Sequence, residues 1–412
     1  MIKKLLLIFI AFFLLLSLKA QQFKKGGYLS EYSFGNVYSI HYENLTHVFA
    51  AFINPDTAGN LSFPNNINIL VNAAHNKGCK VIPSFGGGGD YSWGADTLIY
   101  KKLIDANHRT AFIHKMMDYV RLHNLDGIDL DLEGQALQLA NYNAFAQETA
   151  DSVHAAGLEI SAALAIGWQN TWANAISNAT LQKLDFIMTM SYGGVGSWNY
   201  NTPSDQFAYS DFVNDINYWI SRGLSKEQIL GGIGFYGAEF PLTAQSSYWQ
   251  YSPSLCSIFT NSAYSSQNPL NSDLVYTASN HPVYYNGFPT LKKKIQYAAA
   301  NAGGFMIWEL GNDCFSGNIR ILDSLQQYTS EALNIIELQE IKTLELFPNP
   351  ADNLVHLSNL SEEDQWRIYN NIGQLILEGK GKTCYIENLN SGFYNIEAWH
   401  NKYRMSAKML KK

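Results

Sequence analysis

Short apolar runs alternate with longer amphipathic segments between Gly26 and Asp313, which predicts β/α units built around a parallel sheet. The amphipathic segments carry apolar residues at helical spacing, and helices are predicted at Arg109–Leu122, Leu137–Ala156, Asp211–Ser221 and Thr290–Ala300. Strands are predicted at Gly27–Glu31, Thr46–Phe52, Lys80–Ser84, Gly127–Leu132, Glu159–Ala165, Phe186–Met190, Ile229–Gly234 and Gly304–Trp308.

Eight β/α units in about 290 residues match the size of a (β/α)8 barrel of the α/β class. An open, doubly wound sheet is the alternative, but no glycine-rich phosphate loop follows any predicted strand. The connection from Gly237 to about Phe288 is rich in Ser, Tyr, Asn and Pro, and is too long for a simple loop. It is predicted to be a functional loop or a small inserted subdomain.

The sequence pattern changes after about Glu337, where short runs of alternating apolar and polar residues are separated by Asn-Pro, Asn-Ile-Gly and Ser-Gly turns. This pattern predicts a small, sandwich-like, all-β C-terminal domain, preceded by the helix-prone stretch Asp323–Leu338. We expect the barrel over residues 21–330, a linker over 331–342 and the β domain over 343–412. A sugar-binding accessory module is one interpretation of that domain.

The N-terminus has the pattern of a secretion signal. Lys3 and Lys4 precede an apolar run from Leu5 to Leu18, and the small residue Ala20 follows where cleavage is expected. The run is short for a membrane span, although a membrane anchor is the alternative. Residues 1–20 are therefore predicted to be a signal peptide.

Composition narrows the choice of partners. The chain has 28 basic and 35 acidic residues, a formal net charge of −7, and 14% aromatic residues. This balance predicts no nucleic-acid or anionic-membrane partner. Many aromatic rings and few charges suit a neutral, hydroxylated ligand whose C–H faces stack on the rings. We also expect the protein to act as a monomer.

The four cysteines are too few for a disulfide scaffold, and no pair has metal-ligand spacing. Cys79 begins an apolar run and is expected to be a buried thiol. Cys256 and Cys314 fall in loops on the same barrel face and could pair or remain free. We therefore expect neither a metal site nor a cofactor.

The run Asn124–Gly134, "NLDGIDLDLEG", carries the chemistry. Asp129, Asp131 and Glu133 alternate with aliphatic residues, so on a strand the acids share the face that points into the barrel. Neighbouring acids then lie ~6–7 Å apart, and repulsion of ~2.5 kcal/mol at an effective dielectric near 20 favours retaining a proton. A proton held near neutral pH is what a general acid requires.

Asp126–Glu133 resembles the DGxDxDxE signature of glycoside hydrolase family 18, the chitinases and their relatives, which have a TIM-barrel fold. Four other segments resemble family motifs in the same order: "SFGG" (Ser84–Gly87), "MTMSYGG" (Met188–Gly194), "GIGFYG" (Gly232–Gly237) and "GGFMIWELGND" (Gly303–Asp313). The resemblance covers roughly Gly26–Leu325.

The resemblance implies substrate-assisted retention, with Glu133 as general acid and base. It assigns to Asp131 the orientation of the substrate acetamido group, to Asp129 a shared proton, and to Tyr192 a hydrogen bond to the acetamido carbonyl. The implied substrate-binding residues are Trp308, Met190, Tyr236, Gly86, Gly87, Tyr28, Phe52 and Trp168. Trp93 and Trp198 also follow strands, where each ring either stacks on a sugar or packs in the protein.

The chain departs from the family pattern at two positions. Leu132 replaces the Trp common before the catalytic Glu, and Gly193 replaces the Asp common after the motif Tyr. The segment before the eighth strand is shorter than the subdomain that walls the cleft of many chitinases, which favours endo action. An endo-acting chitinase, an endo-β-N-acetylglucosaminidase acting on N-glycan cores and a non-catalytic chitinase-like lectin stay open, although Glu133 disfavours the lectin.

The last 70 or so residues resemble the C-terminal sorting domain of the type IX secretion system. The resemblance rests on Phe347-Pro348-Asn349-Pro350 and the basic end Met409-Leu410-Lys411-Lys412. It implies passage through the periplasm, export by the secretion machinery and removal of the domain. The expected partners are thus this machinery and a glycan containing N-acetylglucosamine, such as chitin.

Overall fold

The computed structural model describes residues 22–88, 96–167, 171–192, 196–244, 251–339, 344–400 and 403–412. The predicted signal peptide, Trp93, Trp168 and Gly193 lie outside these residues. The chain divides into two compact units, Met1–Thr329 and Ser330–Lys412, and each is described by itself.

The first unit is the predicted barrel. Its strands are β1 (Lys24–Ser30), β2 (His47–Ala51), β3 (Lys80–Gly87), β4 (Gly127–Leu132), β5 (Glu159–Ala165), β6 (Phe186–Met190), β7 (Ile229–Gly234), β8 (Ala238–Glu239), β9 (Leu274–Tyr276), β10 (Pro282–Tyr284) and β11 (Gly304–Trp308). Eight of them close into a parallel barrel in the order β1-β11-β7-β6-β5-β4-β3-β2. The open-sheet alternative is therefore wrong.

All eight predicted strands form, and those at β4, β5, β6, β7 and β11 have the predicted bounds. β3 extends three residues beyond Ser84, to Gly87. The extension was missed because glycines weaken a strand pattern, although here they pair with β4.

Helices cover the outside of the barrel. They are α1 (Ile67–His75), α2 (Thr97–Leu103), α3 (Arg109–Leu122), α4 (Gly134–Leu137), α5 (Tyr142–Ala155), α6 (Asn178–Leu181), α7 (Tyr209–Ser221), α8 (Leu255–Thr260), α9 (Phe288–Asn301) and α10 (Ile321–Gln339). Predicted linker residues 331–339 belong to α10. The helix predicted at Leu137–Ala156 forms as α5, but its predicted start is wrong, because α4 ends at Leu137 and the chain turns before Tyr142.

Alternation along the barrel strands divides the core into two layers. Ile128, Leu130 and Leu132 of β4 face outward and join the helix-facing core with residues such as Phe145. A smaller inner cluster fills the barrel interior, with Tyr28, Phe49, Ile82, Phe186, Met188, Leu230 and Met306 among its members. Since successive side chains point to opposite faces, Asp129 and Asp131 must enter this interior.

The long segment between β7 and β11 forms a small subdomain, one of the two structures predicted for it. Its strands β8, β10 and β9 make an antiparallel sheet. A disulfide joins Cys256 in α8 to Cys314, just beyond β11. The pairing that the sequence left open is thus formed, and Cys79 is a buried free thiol, as expected.

An ionic cluster lies at the N-terminal ends of the barrel strands. Glu159 of β5 accepts a hydrogen bond from His47 of β2 at 2.9 Å and pairs with Lys80 of β3 at 2.7 Å. Burial by itself would raise the pKa of Glu159, but the hydrogen bonds and charges of His47 and Lys80 outweigh it and lower the pKa to about 2. We expect this cluster to contribute to stability, because the active sites of such barrels lie at the C-terminal ends of the strands.

The second unit is all-β beyond α10, as predicted. Its sheets contain β12 (Leu346–Phe347), β13 (Leu354–Leu357), β14 (Gln365–Tyr369), β15 (Leu375–Lys380), β16 (Thr383–Tyr385), β17 (Gly392–His400) and β18 (Tyr403–Lys411). The orders are β12-β13-β16 and β15-β14-β17-β18, and the pairings are antiparallel. Val355, Ile368, Ile396 and Met405 lie in the core of this unit.

The Phe-Pro-Asn-Pro motif is bound to the end of the chain. The Asn349 amide donates to Lys408 O at 2.8 Å, and Leu410 N donates to Asn349 Oδ1 at 2.9 Å. Just after the motif, Ala351 N donates to Leu410 O at 2.9 Å, and Lys412 N donates to Ala351 O at 3.0 Å. The two sequence signatures of this unit are therefore parts of one local structure.

Among the described residues, no helix has both the length and the apolar character needed to cross a bilayer.

Candidate active site

The acid run lies in β4 and at its C-terminal end. Asp129 and Asp131 are 0% and 3% exposed, and Glu133 follows the strand as a partly exposed residue. The structure therefore brings the three carboxyl groups together on the inner face, as the alternation predicted.

Three hydroxyl groups surround the Asp129 carboxylate. Register places Ser84 of β3 and Ser161 of β5 beside Asp129, and their hydroxyls donate to it at 2.6 and 2.7 Å. Tyr28 of β1 donates from across the interior at 2.8 Å. Burial raises the pKa of Asp129, while the three donors oppose that rise because they favour the charged form.

Asp131 has a different environment. Its Oδ1 is buried and has no hydrogen-bond partner among the described residues. Burial, followed by the charges of Glu133 and Asp129, raises the pKa of Asp131 well above its usual range. Of the two inner aspartates, Asp131 therefore favours the protonated, neutral form more strongly, whereas the donors around Asp129 favour its charged form.

Glu133 titrates near neutrality. Burial of its carboxyl group raises its pKa to about 7. A carboxylic acid with this pKa keeps its proton near pH 7 and can either donate it or, once ionised, accept one. A raised pKa is what a general acid requires, and the catalytic role of Glu133 stays a prediction.

Gly86 and Gly87 permit close packing beside the acids. Both have positive φ, at 117° and 85°. A Cβ on Gly86 would lie 2.2 Å from the carbonyl oxygen of Asp131, and one on Gly87 would lie 2.5 Å from the Phe52 ring. These glycines thus let β3 approach β4 and the aromatic floor.

The aromatic floor consists of Trp308, Phe52 and Tyr28. Trp308 ends β11, and its ring stacks on that of Phe52 with centroids 5.7 Å apart and planes 21° apart. The Tyr28 ring is tilted against Trp308 at 5.4 Å. Trp308 and Phe52 are partly exposed, so their faces are available to an apolar ligand surface.

Two tyrosines form another part of the site. Tyr192 follows β6 and contacts Tyr236, which follows β7, edge to face at 6.2 Å. The Tyr192 hydroxyl lies 3.7 Å from Met306 Sδ, and Met190 packs against the same interior cluster. Burial, then the charges of Tyr236 and the acids, raises the pKa of Tyr192 well above its usual range, so the phenol stays a neutral donor.

Asp215 reaches the site's supporting loops from α7. It is fully buried, accepts from Gly167 N at 2.8 Å and accepts from Ser191 Oγ at 2.9 Å. Burial raises its pKa to about 7, against the effect of these hydrogen bonds. Asp215 therefore connects the end of β5 with the residue that precedes Tyr192.

Most of the predicted site residues meet at the C-terminal ends of the barrel strands: Tyr28, Phe52, Gly86, Gly87, Asp129, Asp131, Glu133, Met190, Tyr192, Tyr236 and Trp308. Trp168 and Gly193 lie outside the described residues, as do Trp93 and the Trp198 side chain. Three residues that support the site were not predicted from the sequence: Ser161, Asp215 and Gln206, whose amide donates to the Tyr236 hydroxyl and the Tyr192 carbonyl. Ser161 could have been found as an inward polar residue in a buried strand, whereas the other two carry no local signal.

The described residues contain no group of three His, Cys, Asp or Glu side chains placed to hold a metal ion.

Sequence comparison assigns both units. Glycosyl hydrolases family 18 matches residues 24–313, and the secretion system C-terminal sorting domain matches residues 345–412. The second match indicates export by the type IX system. Relatives include Probable chitinase 10 of Drosophila melanogaster, 26% identical over 44% of this chain and 9% of the fly protein. A chitinase-like effector of Moniliophthora roreri is 25% identical over 51% of this chain and 56% of its own. The matches therefore span about half or less of these relatives.

A solved structure resembles the barrel more fully. The family 18 chitinase ChiB from the chitin utilization locus of Flavobacterium johnsoniae is 29% identical, with a TM-score of 0.67. The similarity covers 76% of this chain and 95% of that one. A chitinase from Bacteroides thetaiotaomicron, with a TM-score of 0.63 and 23% identity, covers 75% of this chain and 97% of its own, and shows the shared fold.

Proposed function

Because the chain belongs to glycosyl hydrolases family 18, we propose that it is a secreted, endo-acting chitinase that hydrolyses β-1,4-N-acetylglucosamine linkages. The observation that carries the proposal is the group of carboxyls at the end of β4, where Glu133 has a pKa of about 7 and Oδ1 of Asp131 has no hydrogen-bond partner among the described residues. The 29% identity to a bacterial family 18 chitinase supports chitin as the substrate.

In the proposed reaction Glu133 donates its proton to the glycosidic oxygen as the bond to the anomeric carbon breaks. The substrate's own acetamido oxygen forms the new bond to that carbon, which gives an oxazolinium intermediate. The Glu133 carboxylate then takes a proton from water, whose oxygen attacks the same carbon and reopens the ring. Two inversions retain the configuration, and Glu133 ends protonated as it began.

The two inner aspartates divide the remaining work. Asp129, charged within its three hydroxyl donors, takes the proton that it shares with Asp131. Asp131, whose Oδ1 has no hydrogen-bond partner among the described residues, is then charged, orients the acetamido N–H and stabilises the positive ring. The opposite environments of the two groups support this assignment.

Tyr192 donates to the acetamido carbonyl in this proposal, and Trp308 stacks beneath the distorted sugar. Phe52 and Tyr28 support Trp308, while Met190, Tyr236, Gly86, Gly87 and Trp168 complete the proposed binding surface. The partial exposure of Trp308 and the raised pKa of Tyr192 support these roles.

Glu133→Gln tests the assignment. The variant should fold normally and bind chitin oligomers, but its turnover should fall by about a thousandfold or more, since the amide neither donates nor accepts the reaction proton. Glu148→Gln is the matched control, because Glu148 lies on α5 and pairs with Arg109. A pure Glu133→Gln protein with a substantial share of wild-type activity would refute the role of Glu133.

The absence of a side chain at Gly193 favours a second candidate, an endo-β-N-acetylglucosaminidase acting on N-glycan cores. Products should be analysed after incubation with chitin oligomers and, separately, with a high-mannose glycoprotein. Cleavage of the oligomers alone supports the chitinase, and glycan release alone supports the second candidate. Binding of either without turnover supports a chitinase-like lectin.

Export is proposed to use the predicted signal peptide and then the type IX machinery, which recognises residues 343–412 and removes them. Deleting Thr343–Lys412 in a strain that has this system should abolish extracellular enzyme. Undiminished enzyme in the medium would refute the export role.

A further inference from the structure

Gln206 binds both cleft tyrosines. It is 5% exposed, and its Nε2 lies 3.1 Å from Tyr236 Oη and 3.4 Å from the Tyr192 carbonyl oxygen. The Tyr236 hydroxyl donates to the same carbonyl at 3.3 Å. The three residues therefore close a triangle of hydrogen bonds between the ends of β6 and β7.

The chain next to Gln206 is held from the other side. The Phe207 carbonyl accepts from Lys294 Nζ at 2.8 Å and from the Asn286 amide at 3.0 Å. Phe207 N donates to Asp205 Oδ1 at 2.7 Å, and the Phe207 ring packs edge to face on Tyr236 at 5.1 Å. Gln206 thus sits in a segment with little freedom to move.

Lys294 is an unusual anchor, because its ammonium group is almost fully buried on α9. Burial lowers its pKa to about 8, and the nearby charges of Asp205, Asp273 and Asp211 oppose that change. A buried cation needs partners, and the Phe207 carbonyl is the hydrogen-bond acceptor it contacts directly. This requirement fixes the segment against α9.

The Tyr192 carbonyl oxygen accepts hydrogen bonds from two residues distant in the sequence, Gln206 and Tyr236. These tertiary hydrogen bonds hold the backbone of Tyr192 at the end of β6. Gly193 supplies no side chain that could fix the tyrosine locally.

We propose that Gln206 is a positioning residue, which fixes Tyr192 and Tyr236 relative to the carboxyl groups at the end of β4. Lys294 holds the segment that carries Gln206 in place. This inference rests on the proposed function, since its kinetic consequence requires that Tyr192 act on the acetamido group. Gln206 itself contacts the tyrosines and makes no bond to the reacting atoms.

Gln206→Met tests the proposal, because methionine keeps the length of the side chain and removes its donor. We expect kcat on chitin oligomers to fall about tenfold with KM changed less than threefold, since a lost buried hydrogen bond is worth about that factor. Gln228→Met is the matched control. Gln228 precedes β7, donates to Leu184 O at 3.1 Å and lies at the opposite end of that strand from Tyr236.

A second pair of variants tests the anchor. Lys294→Met should lower kcat in the same direction, whereas Lys293→Met, an exposed neighbour on α9, should leave kcat unchanged. Thermal unfolding of all four variants separates positioning from stability. The positioning role of Gln206 is supported if Gln206→Met and Gln228→Met lose the same stability but only Gln206→Met loses kcat.

Crystal structures of wild type and Gln206→Met complete the test independently of activity. The proposal expects Tyr236 Oη to leave the Tyr192 carbonyl, and it is overturned if both tyrosines stay in place. It is also overturned if wild type hydrolyses the oligomers and Gln206→Met keeps kcat within twofold. A wild type inactive on every glycan refutes the proposed function, and the crystal structures then decide the positioning role alone.

Discussion

The hydroxyl group of Tyr28 lies 2.8 Å from Oδ2 of Asp129, although 101 positions separate the two residues in the chain. It is one of three hydroxyls that stabilise the charged form of this buried carboxyl group. The bond joins β1 to β4 across the barrel interior, and it also fixes the ring that supports Trp308.

Tyr28→Phe should therefore raise the pKa of Asp129 further and lower kcat/KM on chitin oligomers about tenfold, since a hydrogen bond to a charged group contributes about 1.5–3 kcal/mol. Tyr142→Phe is the control. The Tyr142 hydroxyl is also buried near the acids but has no hydrogen-bond partner among the described residues. Equal kinetics for Tyr28→Phe and wild type would remove Tyr28 from the charge-holding role.

The pH profile should report Glu133. Because burial raises its pKa to about 7, the protonated acid predominates below that pH and disappears above it. We expect kcat/KM to fall about tenfold per pH unit above pH 7, which gives the pH profile a descending limb that starts there. If Glu133 had the pKa of an ordinary carboxyl group, this limb would start near pH 4–5. Profiles on chitin oligomers measure this limb, and a limb near pH 4–5 would contradict the assignment.

Asp215 should make stability depend on pH. Its folded pKa is raised by burial to about 7, so the folded state binds more protons than the unfolded state between about pH 4 and 7. The free energy of unfolding should fall by about 3 kcal/mol as pH rises through this window. Urea unfolding at pH 4.5 and 8 should show this loss in wild type and not in Asp215→Asn. Asp118→Asn, at an exposed position, should behave like wild type.

Glu159 should act in the opposite sense. Its pKa is lowered to about 2 by His47 and Lys80, which outweigh burial, so its contribution is present above the unfolded pKa and is lost as pH falls toward 2. Acid titration of Glu159→Gln should show about 2–3 kcal/mol less pH-dependent loss of stability than wild type between pH 5 and 2. Asp151→Asn, from an exposed pair with Lys183, should change this loss by less than about 0.5 kcal/mol. Parallel acid curves for wild type and Glu159→Gln would refute the role of the cluster.

The Cys256–Cys314 disulfide joins residues 58 positions apart and closes a loop that contains β9 and β10 of the inserted subdomain. Replacing both cysteines by serine should lower stability by about 2–4 kcal/mol, measured by urea unfolding without reductant. Thiol titration of the unfolded full-length chain should detect two free thiols without reductant and four after reduction, because Cys79 and Cys384 are free. Four thiols without reductant would show that the bond does not form.

The sequence predicted the barrel well because periodicity is a local property. Alternation along β4 separates Asp129 and Asp131 from Leu130 by face, and this holds whatever surrounds the strand. Glu133 was found for the same reason. The start of the helix predicted at Leu137–Ala156 was wrong, because apolar spacing does not reveal the turn between α4 and α5.

Alternation and motif order by themselves determined the barrel, the inward face of the acids and the residue that we propose as the proton donor. Only the tertiary structure decided how the acids differ. Strand register brings Ser84 and Ser161 to Asp129, while Oδ1 of Asp131 has no hydrogen-bond partner in the part of the chain that the structure describes. It also decided that Gln206 and Asp215 reach the loops around Tyr192. These contacts join residues far apart in the chain, so they depend on closure of the barrel, which no local pattern encodes.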